Sequence, residues 1–415
     1  MHTTDTNLSQ AGLPPSAVAA DSPRIRFDRN ELSGAFGDIG TDFPLLVGMI
    51  LAAKLDPASV FTMFGMMQIL TGLLYGIPMP AQPLKAVAVL VIAQRIPGHI
   101  LYGGGLAIGL AMLALAATGL LDVLTRVVPK VVVRGIQFGL GLQLSMLALR
   151  DYVPAEGMPG YVLGGISFVI ILLLLGNRRY PPAPLAILLG IGYALLFRVS
   201  GNVLIHSAGL HLPELTPPTT QDILTGFLLL ALPQIPLSLG NSILATKQIA
   251  ADLFPERRIT TRKIGLTYSV MNLVNPFLGG VPTCHGSGGM AGHYAFGART
   301  GGSVLLYGAL YLALGLFVSA GFRDIIPVFP RPVLGVILLF EAVALLRLAR
   351  DTASSSPDFS LVLLIGAIAA SLPYGYLVAL VLGTIVARTT RPWAMGLIAE
   401  GPGAGGGRER QTWRA

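Results

Sequence analysis

The chain has 415 residues, 53% of them hydrophobic and 12% charged, with a mean hydropathy of +0.70 and a formal net charge of +8. Soluble domains carry roughly 25% charged residues, so this composition excludes one and points to a polytopic membrane protein of about 12–14 crossings. The positive excess sits in short loops and tails, where membrane orientation accounts for it without nucleic acid, and the single Cys284 excludes an intramolecular disulfide.

Residues 1–28 read as a disordered cytoplasmic tail without a signal-peptide core, so the first span is expected to act as its own insertion signal. Span 1 is predicted from Glu31 to Ala53, and its polar half, ELSGAFGDIGTDFP, brings Asp38, Thr41 and Asp42 where lipid contact would be costly. Span 2 covers Ser59–Gly76. Next, GIPMPAQPLKAVAVLVIAQ carries three prolines in its first eight residues, the mark of a broken span 3 with Lys85 one to two turns into its short helix. Spans 4 to 7 follow at Leu101–Leu121, Val131–Leu149, Tyr161–Leu175 and Pro184–Phe197.

A polar external loop, 200–220, opens the second half. Span 8, Ile223–Ala245, contains the polar-interrupted LPQIPLSLGNS, and a basic loop leads to span 9, Ile264–Phe277. Gly279–Gly302, GGVPTCHGSGGMAGHYAFGARTGG, is then a second broken span, with nine glycines in its 24 residues. Such a run covers little apolar surface and exposes backbone polar groups, so it must be buried in protein or line a cavity. A short helix starting near His285–Gly286 would aim unpaired N–H groups and a positive dipole end into that cavity, the outline of an anion site. Spans 11 to 14 are predicted at Val304–Gly321, Pro332–Leu348, Phe359–Ser371 and Tyr374–Ala387, before a cytoplasmic tail, 390–415.

Loop charges set the expected orientation. With the N-terminus in the cytoplasm, the inside loops hold Arg126 and Lys130, Arg178 and Arg179, the five cations of the 246–263 loop, Arg299, and Arg347 and Arg350. The outside loops hold mostly single cations: Lys54, Arg95, Arg150, Arg198, Arg323 and Arg331. This bias favours fourteen crossings with both termini inside. The halves also echo each other. Pro44-Leu45-x-x-Gly48 recurs as Pro236-Leu237-x-x-Gly240, and Gly76-x-Pro78 as Gly280-x-Pro282. Seven spans per half is odd, so the second copy, 221–389, must be inverted relative to the first, 29–199. Paired interrupted segments in inverted halves point to a transporter's midplane site.

ELSGAFGDIGTDFP, GIPMPAQPLKA and PTCHGSGGMAGHYAFGARTGG resemble the molybdate-transporter family, itself similar to the sulfate permease (SulP) group. The resemblance runs over nearly the whole chain. It implies a seven-plus-seven inverted repeat in which spans 1–4 and 8–11 form a core and spans 5–7 and 12–14 a gate. The starts of spans 3 and 10 would face each other across an oxyanion. Unlike the sulfate permeases, the sequence is expected to carry no STAS domain after its last span.

Each candidate residue has a plainer reading beside it. Lys85 can balance an anion or snorkel to an interface, although it follows a break placed near the midplane. Gln82 can donate to the anion or cap a helix. His285, Ser287 and the amides of Gly286, Ser287, Gly288 and Gly289 are the strongest ligand candidates, and their alternative is close helix packing. Gln234 and Asn241 are ligands or interhelical glue. Asp38 and Asp42 carry a coupling proton, or cap and pair with a core base. Glu341 is expected to partner Arg134. Enzyme readings fail on geometry. Cys284 and His285 are neighbours that diverge on a helix, and His285 and His293 lie about 12 Å apart along one, too far to share a zinc ion. HGSGG lacks the Lys-Ser/Thr of a phosphate-binding loop. No catalytic residues, cofactor or metal site are expected.

The sequence therefore reads as an all-α polytopic membrane protein of about 14 transmembrane segments. It is expected to be a secondary transporter of a tetrahedral oxyanion by alternating access, the resemblance implying molybdate; sulfate, tungstate or another small anion, and an anion channel, remain open. A coupling proton or cation, the lipid bilayer and a homodimeric partner are compatible with this reading. The expected location is a bacterial cytoplasmic (inner) membrane.

Overall fold

The computed structural model describes residues 25–121, 123, 128–174, 182–197, 209–318 and 329–389. The tail 390–415, most of 1–28, and Asp122, Arg126, Arg178, Arg179, Arg198, His206, Arg323 and Asp324 lie outside them.

The first span is two helices, α1 (Arg29–Ala35) and α2 (Ile39–Ala53), rather than the continuous one expected. The interruption at 36–38 includes Gly37, which lies against the backbone of Gly292 where no Cβ fits. Next comes α3 (Pro57–Tyr75), capped by Asp56, whose side chain accepts from Ser59 N. Then follow α4 (Lys85–Gln94), α5 (Gly98–Thr118) and α6 (Lys130–Leu147). A π turn and a 3-10 turn carry α6 into α7 (Gly157–Leu173), and α8 (Pro182–Phe197) follows. In the second half, α9 runs unbroken over Thr220–Leu253. The LPQIPLSLGNS stretch stays helical inside it, and π segments at Phe227–Ala231 and Ser238–Ala245 absorb what Pro233 and Pro236 disrupt. The remaining helices are α10 (Thr261–Val274), α11 (Ser287–Ala295), α12 (Gly302–Phe317), α13 (Arg331–Arg347), α14 (Ser356–Ser371) and α15 (Gly375–Thr389). Six helical stretches among the described residues are long and apolar enough to cross a membrane, and five shorter apolar helices accompany them.

The fold is not purely helical. At the two breaks, β1 (Ala81–Pro83) and β2 (Thr283–His285) pair antiparallel, with Gln82 opposite Cys284. Pro78, Pro80, Pro83 and Pro282 favour extended backbone before them, and buried extended backbone must find partners. Side-chain amides supply the rest in a matched way. Gln68 on α3 brackets Ala81, accepting from its N at 2.9 Å and donating to its O at 2.6 Å. Asn272 on α10 brackets Thr283 identically, at 3.0 and 2.6 Å. The helices therefore start at Lys85 and Ser287, several residues past Pro78 and Pro282. Lys85 is the first residue of α4, not one to two turns in.

The helices sort into two sets that pack largely among themselves. In one set α3 lies along α12, α5 along α10 and α9, and α2 on α4. In the other, α6 lies along α14 and α13, and α7 on α13. Close backbone approach joins α3 to α12: a Cβ on Gly65 would come within 2.7 Å of Gly308 O.

Candidate functional site

Between the two sets, where α4 and α11 begin, lies a cavity of about 200 Å³. Eight of the nine expected substrate residues line it: Gln82, Lys85, Gln234, Asn241, His285, Gly286, Ser287 and Gly288. Gly289 does not. Its Cβ would strike the Asp38 carboxylate and press on Pro80, so this glycine serves the seating of α11 on α2.

The two helix starts differ. At α4, Ala86 N and Val87 N donate to Gln234 Oε1 at 3.0 and 3.3 Å, while Gln234 Nε2 donates to Ser238 Oγ at 3.0 Å. Gln234 is thus a cap reaching across from α9, and α4's own contribution to the cavity is Lys85. At α11 no side chain caps the start, and the first amide with a backbone partner is Met290 N, bonded to Gly286 O at 3.1 Å. The amides of Ser287, Gly288 and Gly289 are the orphan donors of that helix. A Cβ on Gly288 would meet nothing within 4 Å, so the space beside it is open. One on Gly286 would run into the Gln82 amide.

His285 is fully buried, its Nε2 lying 2.6 Å from Thr267 Oγ1, which is itself 2.6 Å from the Tyr75 hydroxyl. Thr267 Oγ1 also bonds to the backbone oxygens of Lys263 and Ile264, at 3.0 and 3.1 Å, and so anchors the imidazole to α10. Nδ1 has no hydrogen-bond partner among the described residues. The Asn241 side chain also makes no hydrogen bond among the described residues.

Lys85 is the one cation lining the cavity among the described residues, and its Nζ lies 3.8 Å from Glu341 Oε2 on α13. Glu341 Oε1 accepts from Thr41 Oγ1 at 2.9 Å, so this carboxylate joins α13 to both α2 and α4. The expected Glu341–Arg134 pair does not form. Arg134 binds Asp351 through Nε and Nη2, at 3.0 and 2.6 Å, and Lys130 joins them at 2.7 Å. Asp351 lies ten residues beyond Glu341, about 15 Å along a helix, and so comes level with the start of α6. Asp38 and Asp42 sit behind the cavity, both buried. Asp38 Oδ2 accepts from Gln82 Nε2 at 2.6 Å, and Asp42 Oδ2 accepts from the Tyr307 hydroxyl at 3.2 Å.

The profile of a family described as "Molybdate transporter of MFS superfamily" matches residues 30–144 and 226–345. Molybdate transporter 1 of Arabidopsis thaliana is 32% identical over 377 residues, spanning 79% of this chain and 81% of the relative. The chain belongs to the molybdate transporter family. Molybdate transporter 1 of Chlamydomonas reinhardtii is a further relative, 28% identical and covering 78% of this chain and 84% of its own. These relatives come from a plant and an alga, so they lend nothing to the bacterial membrane expected above; a membrane location is what the apolar helices show.

Among solved structures, the transmembrane domain of the cyanobacterial bicarbonate transporter BicA superposes with a TM-score of 0.61 at 16% identity, covering 88% of this chain and 98% of that one. Murine Slc26a9, an anion transporter in an inward-facing state, gives 0.65 at 13% identity, covering 88% and 69%. The molybdate transporter family member thus shares its fold with these transporters.

Several residues around the family's glycine-rich stretch escaped the sequence reading. Gln68 and Asn272 brace the strands, Thr267 and Tyr75 orient His285, and Glu31 fills the second glycine turn. The Glu31 carboxylate, almost fully buried, accepts from the amides of Arg299 and Thr300 at 2.9 Å and of Ser303 at 3.0 Å. FGARTGG is therefore an anion nest whose anion is the protein's own. Its partner in ELSG lies nearly 270 residues earlier, a tertiary contact that one sequence does not signal.

Proposed function

We propose that this chain carries molybdate by alternating access, holding the anion in the cavity between α4 and α11. One observation carries the reading: Lys85, His285, Asn241 and the uncapped start of α11 all border one cavity. A desolvated dianion needs such donors and a compensating charge. The binding set is Lys85, His285, Asn241 and the amides of Ser287 and Gly288, with Gln82 and Gln234 orienting their neighbours.

The helices of the α3–α12 set form the core and those of the α6–α14 set the gate. Support for a seven-plus-seven inverted repeat comes from exchanging the halves: α3 on α12 becomes α10 on α5, and α6 on α14 becomes α13 on α7. The antiparallel β1–β2 pair and its matched amide braces agree with the same two-fold relation. Glu341 competes with the anion for Lys85, so occupancy loosens a link between gate and core. Asp38 and Asp42 are the groups that take up a coupling proton. Both termini and the 246–263 loop face the cytoplasm.

Uptake of labelled molybdate in competition with sulfate, tungstate and phosphate tests this. Saturable accumulation against a gradient, displaced by tungstate before sulfate, is the expected result. Sulfate displacing as well as molybdate would reassign the substrate, and flux without saturation would make the protein a channel.

A further inference from the structure

A second, larger cavity of about 310 Å³ lies at the opposite end of the same helices, bordered by Lys54, Arg95, Arg331, Asp151 and Tyr152 together with apolar side chains. It borders the end of α2, the end of α4, the turn after α6 and the start of α13. The candidate substrate cavity borders the beginning of α4, the middle of α6 and the end of α13. The two cavities therefore lie along one seam, separated on α4 by Lys85 to Arg95, about 15 Å of helix.

Two of its cations sit in backbone that a side chain normally avoids. Lys54 and Arg95 terminate α2 and α4 in the left-handed conformation, at φ 54° and 52°. Among the described residues only one other non-glycine residue, Tyr374, has positive φ. Where α3 and α5 end in the same conformation the residue is glycine, Gly76 and Gly119, as it is at Gly279. Glycine avoids the Cβ–carbonyl clash that Lys and Arg incur there. A helix C-terminus welcomes a cation, which would account for Lys54 and Arg95 alone. It does not account for Arg331, the first residue of α13, where the dipole disfavours positive charge. What the three share is the cavity. None of them forms a salt bridge among the described residues, and with Asp151 the lining carries a net charge of about two positive units.

We propose that this cavity is a collecting site for a divalent tetrahedral oxyanion: Lys54, Arg95 and Arg331 gather the partly hydrated anion before it passes between core and gate to Lys85. The proposal rests on the transport reading above and on its orientation, in which this cavity faces outward. Its attraction acts at long range and is screened by salt, whereas the short-range contacts proposed at Lys85 are screened much less. Left-handed backbone kept by two cations, in a chain otherwise using glycine at such ends, is strain retained for the side chain.

The test is initial-rate molybdate uptake into right-side-out vesicles bearing the wild type, Lys54→Gly/Arg95→Gly or Arg331→Gln. It is run at about 10 mM and about 1 M ionic strength, where the screening length is about 30 and 3 Å. At low salt the variants are expected to raise KM at least about fivefold with maximal rate held, and at high salt to approach the wild type. The glycine variants are expected to melt at or above the wild-type temperature, since glycine relieves the backbone, so lost uptake is not lost folding. An unchanged KM at low salt, or an equal rise at both salts, overturns the collecting site while the transport reading stands. Absence of saturable uptake by the wild type overturns the transport reading itself.

Discussion

At the scale of single residues, the weight falls on Lys85, Glu341 and Gly288. Half-helix dipoles of about half a charge only partly offset the desolvation of a dianion, and Gln234 already occupies the amides at α4. Lys85→Gln should therefore weaken molybdate binding at least tenfold, about 1.4 kcal/mol, by titration calorimetry, with Lys85→Arg retaining part of it. Glu341→Gln should act oppositely, tightening binding by about 1 kcal/mol while slowing turnover, because it removes both a competitor for Lys85 and a gate contact. Unchanged affinity in that variant would mean the 3.8 Å pair does not gate access to Lys85. Gly288→Val should abolish uptake with the melting temperature kept, since its side chain enters open space, whereas Gly289→Val should lower the melting temperature by driving into Asp38 and Pro80. Asp42→Asn should flatten the pH dependence of uptake and leave binding intact, because the carboxylate is buried behind the cavity rather than lining it.

At the scale of elements, β1 and β2 hold the site through side chains that lie outside it. Gln68→Ala or Asn272→Ala leaves a buried N–H and C=O without partners, at about 1–3 kcal/mol for each unsatisfied group. Each should lower the melting temperature and also weaken molybdate binding, and either variant binding normally would show that the strands hold without the brace. These elements also mark what the sequence could tell. Broken spans were legible because proline and glycine interrupt apolar runs locally, and six of the residues lining the cavity, Gln82, Lys85 and 285–288, were legible because they cluster at those breaks. The strand pair was not, since each strand is three residues and its partner lies some 200 positions away. The Glu341 partnership failed for the same reason: position along a helix is readable in one dimension, but which helix lies opposite is a tertiary fact. Gly289 was grouped with its neighbours because a packing glycine and a cavity glycine look alike in sequence.

At the scale of the whole molecule, two cavities lie at opposite ends of one seam between two helix sets, the path along which the proposed alternating access would carry the anion. Cysteines placed at Lys247 and Lys54 should label from opposite sides of the membrane with an impermeant reagent, and same-side labelling would contradict the fourteen-crossing orientation. The central claim, that the oxyanion rests between Lys85 and the start of α11, is most directly tested by a structure determined with molybdate and the metal located by its anomalous scattering. A peak within hydrogen-bonding reach of Lys85 Nζ and the amides at 287–288 is expected in the wild type, and a weaker one there in Lys85→Gln at the same subsaturating molybdate concentration. A peak elsewhere in the wild type, with that cavity empty, would contradict it.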